Sequence, residues 1–160
     1  MALFLRKLMH IGGLPDGLRA EAAAEGILFL AEYVPVTRRF TGSIPGMRSA
    51  HSIASYAGSL ILTEYRALAT MATLPKLAGR TVDQPWSAPQ LGAVQAEFTP
   101  AGLTVQADLP AIDPRFHGQL SLHYKTKIPA EVLMRLPCRS VAFDVGPEYV
   151  FRAVGVPYHP

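Results

Sequence analysis

The feature of this chain that most constrains its fold is a pair of segments in which apolar and polar residues alternate without interruption. Apolar side chains occupy every second position from Val94 to Phe98, and again from Leu103 to Leu109. Alternation is the period of a β-strand that has one buried face. Pro100 and Gly102 lie between the segments and favour a turn, so the sequence predicts a β-hairpin packed on an apolar core.

Similar patterns extend this prediction along the chain. Strands are predicted over residues 27–40, 56–63, 66–71 and 118–125, followed by a last hairpin over residues 141–156. Amphipathic or Ala-rich patterns predict helices over residues 2–11, 18–25 and 129–136. Residues 37–58 and 73–92 are rich in Gly, Ser or Pro and are predicted to be loops.

Together these elements predict a mainly β fold of the α+β class, in which an antiparallel sheet curls into a barrel or partial barrel. A parallel α/β fold is disfavoured, because the strand–helix–strand rhythm that it requires does not occur. The 160 residues are expected to form a single domain, residues 1–160. It comprises a helical N-terminal segment, residues 1–26, and a barrel-like body, residues 27–160, with the long loop 73–92 and one short late helix.

Positive charge is concentrated in one part of the sequence. Residues 33–63 contain no Asp or Glu, and residues 38–80 hold six Lys or Arg against one acid. The remaining residues hold nine basic side chains against eleven acidic ones, so the net charge of +3 comes entirely from this segment. Concentrated charge of one sign focuses electrostatic potential on a partner of the opposite sign.

A site for an acidic group is therefore predicted in the loop from residue 37 to residue 58. Arginine offers a planar fork of donors, hydroxyl groups donate to acidic oxygens, and glycine lets backbone amides turn toward a ligand. The predicted anion-binding residues are Arg38, Arg39, Arg48, Ser43, Ser49 and His51. The alternative is a solvated loop whose arginines pair with acids elsewhere in the fold or in a second subunit.

No motif indicates catalysis, and no catalytic residue, metal or cofactor is expected. His117 and His123 lie on one face of a predicted strand, about 20 Å apart, which is too far to share a metal. Cys138 is the single cysteine, which excludes an internal disulfide and favours a reducing compartment. Apolar runs are too short for a membrane-spanning helix, and the N-terminus has no signal-peptide pattern. A cytoplasmic location is expected, with peripheral contact at the membrane as an option.

A short motif lies between two of the predicted strands. Residues 58–68 comprise a strand, a Thr-x-x-Arg turn formed by Thr63 and Arg66, and a second strand. This motif, with the Glu25-Gly26 step that ends the preceding helix, resembles small bacterial pleckstrin-homology-like and GRAM-like domains. The resemblance covers about half of the chain, from about residue 14 to residue 73.

The resemblance implies a curled antiparallel barrel that presents a basic loop to acidic lipid head groups or to partner proteins. Arg38, Arg39 and Arg48 would then face the ligand, while Thr63 and Arg66 would be structural. Domains of that class commonly close the barrel with a C-terminal helix. This chain is instead predicted to end in a hairpin.

The leading functional hypothesis is a non-enzymatic binding or scaffolding domain that recognises an acidic protein or a membrane surface. Charged residues are only 17% of the chain, which leaves apolar surface for a partner, and a homo-oligomer is expected. Nucleic acid is disfavoured because the net charge is small. Two alternatives stay open: a small-ligand barrel or enzyme with an internal pocket that uses His51 or His117, and an accessory subunit of an oligomer without a ligand.

Overall fold

Eight antiparallel strands within the described residues form a single sheet, which is the body of the protein. The computed structural model describes residues 14–72 and 79–156. The elements in chain order are α1 (Asp16–Glu25), β1 (Ile27–Ile44), β2 (Met47–Thr63), β3 (Arg66–Ala72), β4 (Gly79–Pro85), β5 (Val94–Thr99), β6 (Gly102–Asp108), α2 (Leu109–Ile112), β7 (His117–Lys125), α3 (Ala130–Arg135), β8 (Ser140–Phe143) and α4 (Pro147–Val154). The sheet order is β4-β3-β2-β1-β7-β6-β5-β8, which confirms the mainly β, antiparallel class.

The sheet curls into a nearly closed barrel, because its two edge strands approach each other. Side chains, rather than a backbone ladder, bridge β4 and β8 in the described part of the chain. Nε2 of Gln84 on β4 donates to the carbonyl oxygen of Ala142 on β8 over 3.3 Å. The amide of Ala142 donates to Oε1 of Gln90 over 2.9 Å. Closing the barrel in this way protects the two edges from pairing with other chains.

The longest elements, β1 and β2, form one hairpin across residues that the sequence predicts to be a loop. Pro45 and Gly46 make its turn, and the φ of 92° at Gly46 is one that glycine adopts readily. Register shifts interrupt the β1–β2 pairing, and such bulges bend strands around a barrel. The loop prediction for residues 37–58 is therefore wrong. Small residues there permit close strand contact: a Cβ added at Gly42 would lie 1.9 Å from the carbonyl oxygen of His117.

Several predicted elements are confirmed. Helix α1 ends before Gly26, and the hairpins β2–β3 and β5–β6 have the predicted turns. Strand β7 and helix α3 also lie where the sequence pattern places them. The helix predicted over residues 2–11 lies outside the described residues.

Two predictions in the Pro- and Gly-rich regions are wrong. Residues 79–85, inside the predicted loop 73–92, form the edge strand β4. The proline at position 85 is tolerated because it ends this edge strand. The second strand of the predicted last hairpin is instead helix α4, and β8 pairs with β5. Proline stands at the first turn of α4 and Gly155, with a left-handed φ of 79°, ends it, which are helix signals that outweigh the local alternation.

The barrel interior is filled with apolar side chains from all eight strands, among them Phe40, Phe98 and Leu122. Alternation places Ile61 on the opposite, outer face, where it packs with Leu68 beneath α1. Helix α1 therefore covers the outer face of β2 and β3. It does not cover the outer face of β1 and β7, where the candidate site lies.

An ion cluster fixes α1 to the barrel. Arg66 on β3 donates to Glu25 over 3.0 Å, to Asp83 over 2.9 Å and to Glu21 over 3.2 Å. Oγ1 of Thr63 accepts the amide of Arg66 and donates to Glu25 over 2.9 Å. Burial alone would lower the pKa of Arg66, but the hydrogen bonds to Glu25 and Asp83 outweigh it and raise that pKa. These contacts give Thr63 and Arg66 the structural role that was expected.

We expect Arg66→Met to lower the free energy of unfolding by about 2–3 kcal/mol, because three carboxylates lose their shared partner. Chemical denaturation measures this loss. Arg80→Met is the matched control, since Arg80 is more exposed and reaches the cluster at its edge, through Asp83 and, at 3.9 Å, through Glu21. It should cost less than about 1 kcal/mol. Equal losses in the two variants would show that the cluster is not centred on Arg66.

A fully buried tyrosine, Tyr124, predicts a response to alkaline pH. The Tyr124 hydroxyl shares a 2.6 Å hydrogen bond with Thr81 and donates to the carbonyl oxygen of Thr70 over 2.9 Å. Burial raises the pKa of the Tyr124 phenol well above its ordinary value. Above about pH 10 this phenol ionises in the unfolded chain and stays neutral in the folded protein.

The free energy of unfolding should therefore fall as pH rises above about 10, by up to about 1.4 kcal/mol per pH unit from Tyr124. Tyr124→Phe should flatten this decline in denaturation curves recorded across that range. Burial also raises the pKa of Tyr149, which is present in both proteins, so the difference isolates Tyr124. Parallel pH profiles would rule out a buried, neutral Tyr124.

Candidate functional site

The two adjacent arginines of β1 lie on opposite faces of the sheet. Arg38 points into the barrel and is only 4% exposed, whereas Arg39 points outward and is exposed. The flanking residue Phe40 again points inward. Successive side chains of a strand must alternate in this way, so the two guanidinium groups cannot bind one ligand from the same side.

The outer face carries four of the six predicted residues. Register with β2 and β7 places Ser43 between Arg48 and His117, on the same face as Arg39. His51 is exposed, lies in the β2 bulge opposite Thr41, and lines the same groove as Arg39. Arg39 and Arg48 are about 13 Å apart along the hairpin.

A groove of about 600 Å³ lies on this outer face. Its floor is a row of side chains that runs through the paired positions Arg39, Ser121, Gln106 and Gln95 of β1, β7, β6 and β5. Three strand spacings separate the ends of the row by about 14 Å. The polar side chains of its walls include Thr41, His51, Asp108, Gln119 and Asp144.

The groove has a cationic end and an acidic end. Within residues 14–72 and 79–156, no carboxylate lies within 4.0 Å of the Arg39 or Arg48 guanidinium nitrogens. Asp108 and Asp144 line the far end, where Oδ1 of Asp144 accepts the amide of Ala93 over 3.0 Å. Unpaired exposed arginines are available to an external acid, and amide side chains between the two ends can both donate and accept hydrogen bonds.

The histidines of β7 have separate surroundings. Nδ1 of His123 shares a 3.1 Å hydrogen bond with Thr104. Near His117, Asp113 binds Arg115 instead, and these hydrogen bonds lower the pKa of the Asp113 carboxyl. No group of three His, Cys, Asp or Glu side chains with metal-binding geometry occurs in the described residues.

Arg38 lies in an apolar interior with few polar contacts. Nη2 donates to Oγ of Ser52 over 2.7 Å, and Cζ is 6.0 Å from the centre of the Tyr56 ring. Nε is buried and has no hydrogen-bond partner. The hydroxyl of Tyr56 donates to the carbonyl oxygen of Ala153 on α4 over 3.4 Å, a long bond.

The structure thus places Arg39, Arg48, Ser43 and His51 on one face of the hairpin and Arg38 on the other. Ser49 pairs with Gly42, and its Oγ accepts the amide of His51 over 3.1 Å. The other groove residues were not predicted: Gln95, Gln106, Asp108, Gln119, Ser121 and Asp144. Their polar, outward positions can be read from alternation, but the pairing of β7 with β1 joins distant parts of the sequence and has no local signal.

Comparison of this chain with protein-family models, with curated proteins and with solved structures gives no match. Its function therefore has to be argued from the site itself. None of the helices in the described residues has the length and apolar character needed to cross a membrane.

The placement of the two arginines on opposite faces predicts different effects of their replacement on stability. Arg38→Met replaces a buried, unpaired charge with an apolar side chain of similar length, so the free energy of unfolding should stay equal or rise by about 1–2 kcal/mol. Arg39→Met, on the surface, should change it by less than about 0.5 kcal/mol. Urea denaturation at low salt measures both. A large loss in Arg38→Met alone would contradict the absence of a carboxylate partner for Arg38.

Proposed function

We propose that this chain is a non-enzymatic binding domain that holds an acidic segment of a partner protein on the outer face of the β1–β2 hairpin. The observation that carries the proposal is a pair of exposed arginines on one face that have no carboxylate partner in the described residues: Arg39, which lines the groove, and Arg48, about 13 Å further along the hairpin. A carboxylate side chain can take two parallel charge-assisted hydrogen bonds from either guanidinium.

The shape and charge of the groove favour a peptide over a lipid surface. A membrane presents acidic groups across a plane, and Asp108 and Asp144 at the far end would be repelled by it. A single extended segment can place its acid on Arg39 and its polar groups on the glutamines. The exposed large apolar side chain beside Arg39 is Ile53. One isoleucine offers little apolar area for insertion into lipid.

We also propose that this chain belongs to the pleckstrin-homology-like class. The antiparallel, nearly closed barrel supports this assignment, as does helix α4, which follows β8. Domains of that class commonly close the barrel with such a helix, and the sequence had predicted a hairpin in its place. A homo-oligomer also stays a proposal. Its support is the low content of charged residues and the exposure of Leu91 and Met134, each 78% exposed.

A fluorescent peptide with glutamates at one end and glutamines along the rest is a suitable probe, because it carries the proposed chemistry without a presumed partner. We expect it to bind the full chain with an affinity that falls as salt rises. The double variant Arg39→Gln/Arg48→Gln should weaken binding about tenfold, since each exposed pair contributes up to about 1 kcal/mol. Fluorescence anisotropy measures both effects.

Arg135→Gln is the control for each single variant, Arg39→Gln and Arg48→Gln, because it removes one exposed positive charge at the far end of β2, where Arg135 meets Glu64 at 3.8 Å. It should leave the affinity unchanged. Vesicles of phosphatidylserine and phosphatidylcholine form the second arm. Equal weakening in the control, or retention by vesicles with no binding of the peptide, would overturn the proposal.

A further inference from the structure

Arg38 and Arg66 are the two least exposed arginines within residues 14–72 and 79–156, and their surroundings are very different. The Arg66 side chain is 15% exposed and has three carboxylates around it. Arg38 is 4% exposed, and within residues 14–72 and 79–156 no carboxylate lies within 4.0 Å of its nitrogens. Removing a guanidinium from water without a counter-charge is among the most unfavourable arrangements in a protein interior.

The contacts of Arg38 satisfy only part of its donor fork. One bond from Nη2 reaches Ser52, and the face of Tyr56 gives a cation–π contact at the long end of the useful range. Nε, which donates one hydrogen bond in every guanidinium, has no partner. Neither a hydroxyl nor a ring supplies the negative charge that burial of the arginine requires.

We propose that Arg38 is the anchor of an internal binding site for a small carboxylate. The Nε and Nη nitrogens lie in one plane and can hold both oxygens of a carboxylate with parallel hydrogen bonds. A single positive charge is neutralised by a monoanion, whereas a dianion such as phosphate would leave a buried negative charge. This site lies on the inner face of the barrel and is independent of the groove around Arg39.

Neighbouring side chains define the size of the ligand. Ala54 pairs with Arg38 across the hairpin, and Ser52 is the next inward residue of β2, so the side chains beside the guanidinium are small. Nε has no exposed surface, and binding therefore displaces a neighbour. Tyr56 is that neighbour, because its ring faces the guanidinium and its hydroxyl holds α4 only through the 3.4 Å bond to Ala153.

Formate, the smallest carboxylate, is the probe, and the Nε–H signal of Arg38 in nitrogen-15 NMR spectra of the full chain is the readout. Arg38→Met assigns this signal by its disappearance. We expect formate to shift the Arg38 signal with a saturating concentration dependence, while the Arg39 signal shifts weakly and without saturation. Phosphate at equal ionic strength, at about pH 8 where the dianion predominates, should leave the Arg38 signal in place.

Thermal unfolding provides a second measurement, since a ligand that binds only the folded state raises Tm with its concentration. Formate should raise the Tm of wild type and of Arg39→Gln alike, and should not raise that of Arg38→Met beyond the effect of sodium chloride. An unshifted Arg38 signal, an equal response to phosphate, or the same rise in Arg38→Met would each overturn the internal site. None of these results bears on peptide binding at the outer face, which has its own variants.

Discussion

Side-chain alternation along the β1–β2 hairpin is the constraint on which the rest of the structure depends. Every inward position of β1 must fit a filled barrel, and every outward position faces solvent or a partner. The register with β7, fixed by the close approach of Gly42 and Gly118, then brings Arg39 beside Ser121 and sets the floor of the groove. A shift of one residue would exchange Arg38 and Arg39 and remove both sites.

Two other interactions hold this hairpin in a barrel. The Arg66 cluster docks α1 on the outer face of β2 and β3, and so covers apolar positions such as Ile61. The side chains of Gln84 and Gln90 bridge the remaining gap between β4 and β8. Side-chain hydrogen bonds therefore close the barrel between β4 and β8, whereas backbone ladders join the other neighbouring strands. Local opening of the barrel should break the fewest contacts between β4 and β8.

Local patterns in the sequence were enough for the class of fold and for part of the site. Alternation identified β5, β6 and β7, and the acid-free segment identified Arg39 and Arg48 as exposed cations. Glycine and serine between residues 37 and 58 suggested a loop because propensity does not reveal tertiary pairing, and Gly42 in fact fits against His117. Arg38 and Arg39 do not form one binding unit for the same reason. The side chains of adjacent residues can converge in a loop, whereas in a strand they point to opposite faces.

The most direct test of this account is arginine modification of the folded full chain with phenylglyoxal, followed by mass spectrometry of the adjacent residues Arg38 and Arg39. Opposite faces predict rapid modification of Arg39 and protection of Arg38, with the difference lost in denaturant. Comparable rates at the two residues in the folded protein would contradict the buried position of Arg38, and with it the division of this hairpin into an inner and an outer site.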